Sequence, residues 1–209
     1  MKSLILKPHE LANIDRLTCI VRPMKEPHGW TTKLIDGEHK KWPAKPVYDK
    51  QQKCNITGFV DPPFSPGETV FVKETWGTNG CLNCPIHYKF TEPNWKKESL
   101  NPNARWYSAH SMPQWASRYK ITFVDVEAKQ VCDLSIDQIK SIGVKSYTGF
   151  DGCGGHYSTC TYYQAFPNKY GVFVTAKDAM ECLWDSMFPK HPYDSNPWLW
   201  LCKVEVVKV

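Results

Sequence analysis

The run from Arg118 to Ala128, "RYKITFVDVEA", is the feature that most constrains the fold. It sets Tyr119, Ile121 and Phe123 on one side and Lys120, Thr122 and Val124 on the other, the period-two pattern of a strand with one buried face. The clearest companion is "PGETVFVKETW" (66–76), where a Pro-Gly turn leads into β-branched and aromatic residues. "IHYKFTE" (86–92) reads as its partner strand. "NPWLWLCKVEVVKV" (196–209) reads as a last strand with an apolar start.

Helices are fewer. "PHELANID" (8–15) has proline in the first turn, with Leu11 and Ile14 on one face. "DLSIDQIKSIGV" places Ser135 and Gln138 at capping-box spacing and ends at Gly143. In "TAKDAMECLWDSMF", Thr175 caps an amphipathic helix whose inner face holds Ala179, Cys182, Leu183 and Met187. Between these elements lie stretches rich in proline, glycine and polar residues, near 26–64, 93–110 and 145–172. They read as insertions, with hairpin strands over 31–35 and 52–60. At 209 residues this describes a single domain: an α+β fold, with short strands closing a compact β-barrel and helices on its flank.

Composition narrows the classes. Nine tryptophans exclude a disordered chain, and 26 basic against 21 acidic residues give a net charge of +5, which suits a polyanionic partner without requiring one. Runs of like charge are short, so a nucleic-acid surface would have to be assembled by folding. The apolar core of "MKSLILKPHE" is too short for a signal peptide, and no segment approaches the length of a membrane span. Nine cysteines then read as reduced thiols of a cytoplasmic protein, the odd count arguing against a complete disulfide framework. "CLNC" (Cys81, Cys84) and "CGGHYSTC" (Cys153, His156, Cys160) could close a tetrahedral structural zinc site from Cys81, Cys84, Cys153 and either His156 or Cys160. Cys19, Cys54, Cys132, Cys182 and Cys202 read as small buried residues.

Three separated pieces resemble one family. "PGETVFVKETW" is similar to a strand of ASCH domains. "HSMPQWASRYKITFVDVE" and "LWDSMF…NPWLWLCKVEV" resemble blocks of the ASCH-like proteins carried by tailed phages and prophages. The resemblance implies a PUA-like barrel, a fold associated with RNA and modified nucleobases, in the cytoplasm of an infected or lysogenic bacterium. Amidohydrolases of the family that act on acetylcytidine carry a "G-x-K-T-x-T-x-R" turn and a glutamate on a later helix. Here "DRLTCIVR" aligns with that turn, with Asp15 at the glycine, Leu17 at the lysine, Thr18 at the first threonine, Ile20 at the second and Arg22 at the arginine. Ile142 stands at the glutamate. Leucine and isoleucine can neither attack an amide nor take a proton, so the resemblance implies that this chemistry is gone.

A binding cleft would remain, in which Arg22, Lys73 and Arg118 meet phosphate or base edges and Trp76 and Trp115 stack on bases. Each residue has a plainer reading. Trp115 serves equally as a core anchor, Arg118 as a partner of Glu74, and Lys73 as the solvated face of its strand. Trp198 and Trp200 read as packing. The function expected from the resemblance is binding of nucleic acid, RNA favoured, or of a nucleotide. Two alternatives stay open: a nuclease or modified-nucleoside hydrolase using His87, His110 or Glu74, and a protein that binds a host defence or regulatory protein.

Overall fold

In the computed structural model the chain is described over residues 2–24, 29–35, 38–49, 51, 54–80, 84–153, 156–165 and 171–209, with the backbone alone for 9, 29–35, 38–43, 46–49, 54–59, 150–153 and 156–159. It is a mixed α+β structure, mostly sheet. Five strands form the main sheet: β1 (Ser3–Ile5), β2 (Cys19–Pro23), β6 (Thr69–Lys73), β10 (Tyr119–Gln130) and β13 (Trp198–Lys208). Their order is β1-β6-β10-β13-β2, antiparallel except for the parallel β1–β6 pair. Three small sheets accompany it. One is β3 (Gly29–Ile35), β4 (Glu38–Asp49) and β5 (Cys54–Phe59); one is β7 (Trp76–Thr78), β8 (His87–Tyr88) and β9 (Arg105–Tyr107); the last is the hairpin of β11 (Lys145–Cys153) and β12 (His156–Gln164). The helices are α1 (Pro8–Ala12), α2 (Trp95–Glu98), α3 (Ile136–Ile142) and α4 (Ala176–Met187).

The alternation in β10 does what its period requires: Tyr119, Ile121 and Phe123 are buried, while Val124 is exposed. A register shift against β13 falls between Phe123 and Asp125, so one extra residue is accommodated there. Beyond it Val126 and Ala128 still pack on the Phe123 side. That core draws from all five strands, through Leu4, Ile20, Val70, Ile121 and Trp200 among others, with Phe64 stacked on Phe123 at 4.1 Å. The opposite face of β2 and β13, with Cys19, Val21, Leu199 and Leu201, is covered by α3 and α4 through Ile139, Ile142, Met180, Leu183 and Trp184.

Several expectations are corrected. The sheet is not a closed barrel: its hydrogen-bonded order has two ends, β1 and β2. Arg22 bridges them, reaching from β2 to the Ile5 carbonyl of β1 at 3.5 Å and to Glu10 of α1. The strand expected over 66–76 breaks at Glu74 and Thr75 into β6 and β7, and β8 pairs with β7 rather than β6. The expected loop near 145–172 holds the β11–β12 hairpin, and the first insertion holds a third strand, β4, between the two foreseen. The helix over 8–15 ends at Ala12, and Ile14–Arg16 continues as a 3-10 turn.

The buried side chains make a prediction for alkaline solution. Burial pushes the Cys202 thiol up to about 12, against a downward pull from Arg22. Burial also lifts the Tyr193 phenol to about 12, helped by Cys132. The ordinary values are 9.0 and 10.0. Above pH 9 the unfolded chain therefore releases protons that the folded one keeps, and stability falls as pH rises. Below pH 9 both states are protonated and these groups contribute nothing to the slope. The expected loss is up to about 1.4 kcal/mol per pH unit for each group across its window. Denaturant midpoints compared at about pH 8 and about pH 10.5 check it; equal midpoints would contradict the burial argument.

Candidate functional site

Two places gather chemistry. The first is a cavity of about 540 Å³ where the turn after α1 meets the end of α3. Leu17, Ile142 and Val144 are its buried apolar floor. Arg16, Lys140 and Lys145, all exposed, stand around it with Thr18, Ser141 and Ser146. Local sequence explains the shape. The Ser135–Gln138 capping box starts α3, and Gly143 at φ 127 stops it, turning the chain so that Lys140 and Lys145 flank one opening. Burial raises the Cys19 thiol beside the cavity, partly offset by the neighbouring Ser141 hydroxyl. The cavity's described lining contains three cations and hydroxyl groups, with neither carboxylate nor imidazole. Its volume falls in the range of small-ligand pockets.

Of the three positions the resemblance assigns to the lost hydrolase, Leu17 and Ile142 share this cavity. Ile20, 1% exposed, does not line it and packs in the core that Leu17 also joins. Thr18 supplies a hydroxyl at the wall.

The second place is built on the β8-β7-β9 sheet. Trp76 of β7 is the register partner of Tyr88 on one side and of Tyr107 on the other. Directly paired residues share a face, so these three rings form a row across the sheet. Trp76 stacks on Tyr107 with centroids 4.9 Å apart, and Trp115 stands edge-on to Trp76 at 6.4 Å. Trp115 is 73% exposed, so the core-anchor reading does not describe it. The anchoring in "MPQWASR" is done by its neighbours. Met112 is buried with its sulfur 3.2 Å from the Glu74 amide nitrogen, Ala116 is buried, and the Ser117 hydroxyl sits 2.8 Å from the carbonyls of both Val72 and Tyr119.

The other face of the same small sheet is closed. There Gly77 pairs with His87 and Trp106, and Trp95 of α2 stacks on His87 at 4.3 Å and meets Trp106 edge-on at 4.9 Å. A side-chain carbon on Gly77 would lie 2.5 Å from the Trp95 ring, so only glycine admits this packing.

The two arginines are largely committed. The Glu10 carboxylate, 1% exposed, accepts Arg22 Nη1 at 2.6 Å and Nη2 at 3.0 Å, while the Val21 and Ile5 carbonyls take the remaining terminal N–H groups. Of the Arg22 nitrogens only Nε has no hydrogen-bond partner among the described residues. Arg118 donates from Nε and Nη2 to Glu74, at 2.9 and 2.8 Å, and lies over the Tyr88 ring at 4.1 Å. Burial alone would lower the Arg118 guanidinium, but the Glu74 hydrogen bonds and charge outweigh it and hold it above its ordinary value. Its Nη1 has no hydrogen-bond partner among the described residues. Lys73 donates to the His110 carbonyl at 3.0 Å. Trp76, Trp115 and Arg118 are thus brought together around Tyr88 and Tyr107, whereas Arg22 belongs to α1 and the sheet edges.

The residues of the nuclease reading are placed separately. His87 pairs with Glu92 at 2.7 Å, His110 is exposed, and Glu74 is taken up by Arg118. For the zinc reading, Cys81 and the side chains of Cys153 and His156 lie outside the described residues, although Cys153 and His156 are register partners at the tip of the β11–β12 hairpin. Cys160 is a half-buried thiol. Cys84 stands in a disulfide, which differs from the expected set of reduced thiols; a disulfide sulfur is not the thiolate that zinc takes. Among the described residues no group of three or more His, Cys, Asp or Glu is placed to hold a metal. Also among them, no helix is long and apolar enough to cross a membrane.

Sequence reasoning missed Lys140, Lys145, Tyr88, Tyr107 and Arg105 as site residues. The available signals were the two lysines flanking a helix-stopping glycine and the aromatic residues in each of the three short strands. Comparison with protein-family models, with curated proteins and with solved structures finds no match in any of the three.

Proposed function

We propose that the chain is an ASCH-like protein of the phage type that binds a nucleotide or nucleic acid, RNA favoured, and does not hydrolyse it. The observation that carries this reading is the cavity between the turn after α1 and the end of α3, with Arg16, Lys140 and Lys145 around a floor of Leu17, Ile142 and Val144. Cations at the rim suit phosphate, and an apolar floor suits a base or sugar face. The resemblance puts the family's hydrolase signature on the same pair of segments, while the binding cleft it implies lies between the turn after α1, the "VKETW" strand and the "WASR" turn. Hydrolysis of the acetylcytidine type would need a base beside a nucleophile. The described lining offers the Thr18, Ser141 and Ser146 hydroxyls, but apolar side chains at the aligned base positions.

The test is titration of single-stranded RNA, single-stranded DNA, duplex DNA and a ribonucleoside triphosphate against the wild type and a Lys140→Glu/Lys145→Glu double variant, across a salt series. Both lysines are exposed, so the fold should tolerate the change. The expected result is saturable binding by the wild type and a loss of at least about tenfold in the double variant, with a shallower salt slope for whichever polyanion binds. Equal binding by the two proteins for every ligand would remove the cavity as the site.

A further inference from the structure

From the Tyr88–Trp76–Tyr107 row we infer a platform for single-stranded nucleic acid, with Trp115 as its exposed stacking residue. The inference deepens the nucleic-acid reading by naming unpaired bases as the ligand, and it rests on a different part of the molecule from the cavity.

Four observations converge. The row spans all three strands of a small sheet whose opposite face is filled by Trp95 and Trp106, so only one face is left to a partner. Trp115 stands on that face, 73% exposed, on a 3-10 turn whose neighbours Ala116 and Ser117 are buried. The indole is therefore held out by a fixed backbone and loses little freedom on binding. The row ends in a cation on each side: Arg118 over Tyr88 at 4.1 Å and Arg105 over Tyr107 at 5.0 Å. Arg105 is exposed and has no ion pair among the described residues.

The exposed Trp115 indole beside this packed row, with Arg105 at one end and the Glu74-paired Arg118 at the other, matches a strand of unpaired nucleotides, whose bases stack while its phosphates meet the guanidinium groups. A duplex keeps its bases stacked on one another and offers such rings nothing. RNA and DNA strands share this chemistry, and the sugar is resolved by the experiment.

The experiment measures binding of labelled oligo(U) and oligo(dT), each about ten nucleotides long, and of a duplex of similar length. The proteins are the wild type, Trp115→Ala, Trp115→Phe and the Lys140→Glu/Lys145→Glu variant. The expected result is a loss of about tenfold or more for the strands in Trp115→Ala, with the salt slope unchanged and most of the affinity restored in Trp115→Phe. The wild type should bind the duplex more weakly than the strands. If Trp115→Ala binds the strands like the wild type while the lysine variant loses them, the platform is overturned and the cavity reading stands. If Trp115→Ala loses the strands and the lysine variant keeps every ligand, the platform stands and the cavity reading falls. No binding of either strand by the wild type overturns the platform and leaves this face to a protein partner.

Discussion

Arg22→Ala should destabilise the protein by about 3–5 kcal/mol, the cost of leaving a buried carboxylate without its partner. Glu10 is 1% exposed and also accepts the Lys7 amide at 2.7 Å, so the loss reaches the start of α1 as well as the ion pair. Arg22 is in addition the side chain that joins β2 to the Ile5 carbonyl of β1. For a chain of this size the melting temperature should fall by on the order of 10 °C. A double change, Glu10→Leu with Arg22→Met, should recover most of the loss, because replacing a whole buried pair with apolar groups is often neutral. Thermal and denaturant unfolding of the three proteins decide the matter. A single variant as stable as the wild type would mean that Glu10 finds water or another donor. The Arg118–Glu74 pair has the same construction, with Glu74 buried. A binding defect in an Arg118 variant therefore means little until its stability has been measured.

Trp184→Ala should cost about as much, 3–5 kcal/mol by the usual range for deleting a large buried ring. Trp184 is fully buried in the layer between α4 and the sheet and packs against Phe188 at 4.7 Å. Its indole N–H donates to the His191 carbonyl at 2.6 Å, which fixes the turn leading from α4 towards β13. Alanine leaves a large void and an unmet carbonyl, two costs that add. Trp184→Phe separates them: it keeps most of the apolar volume and loses the hydrogen bond, for an expected cost of about 1–2 kcal/mol. If the two variants prove equally unstable, the hydrogen bond rather than the ring volume holds this corner.

The elements legible in the sequence were those whose pattern matches a one-sided environment. β10 has one face in the core and shows a clean alternation; α3 has its capping box and Gly143, and α4 its helical period. β2 was not legible as a strand. Cys19 and Val21 face the helices while Ile20 faces the other core, so a strand buried on both sides reads as a plain apolar run. β4 carries Pro43 and Pro46 in the middle of a three-stranded sheet, where the missing N–H groups argue against a strand. β1 is three residues long and owes its place to β6, far along the chain.

The candidate site divides in the same way. Trp76, Trp115 and Arg118 stood out by residue type, and the structure groups them. Tyr88 and Tyr107 join only through a cross-strand register that local sequence does not contain. Arg22 looked like a free cation because the residue that neutralises it, Glu10, sits on a helix with no sequence mark of contact.

The strand order carries a consequence for synthesis. β13 lies between β10 and β2, yet it is made after both. Until Trp198 to Lys208 have left the ribosome, β2 has no hydrogen-bonded neighbour in the sheet, and β10 shows one open edge along the eleven residues that will pair with β13. The nascent chain must therefore hold an incomplete sheet with two unpaired edges, a state that invites pairing with another copy. Completion comes as a single late insertion that joins both halves, so a chain stopped short of Trp198 lacks the central pairing of its main sheet.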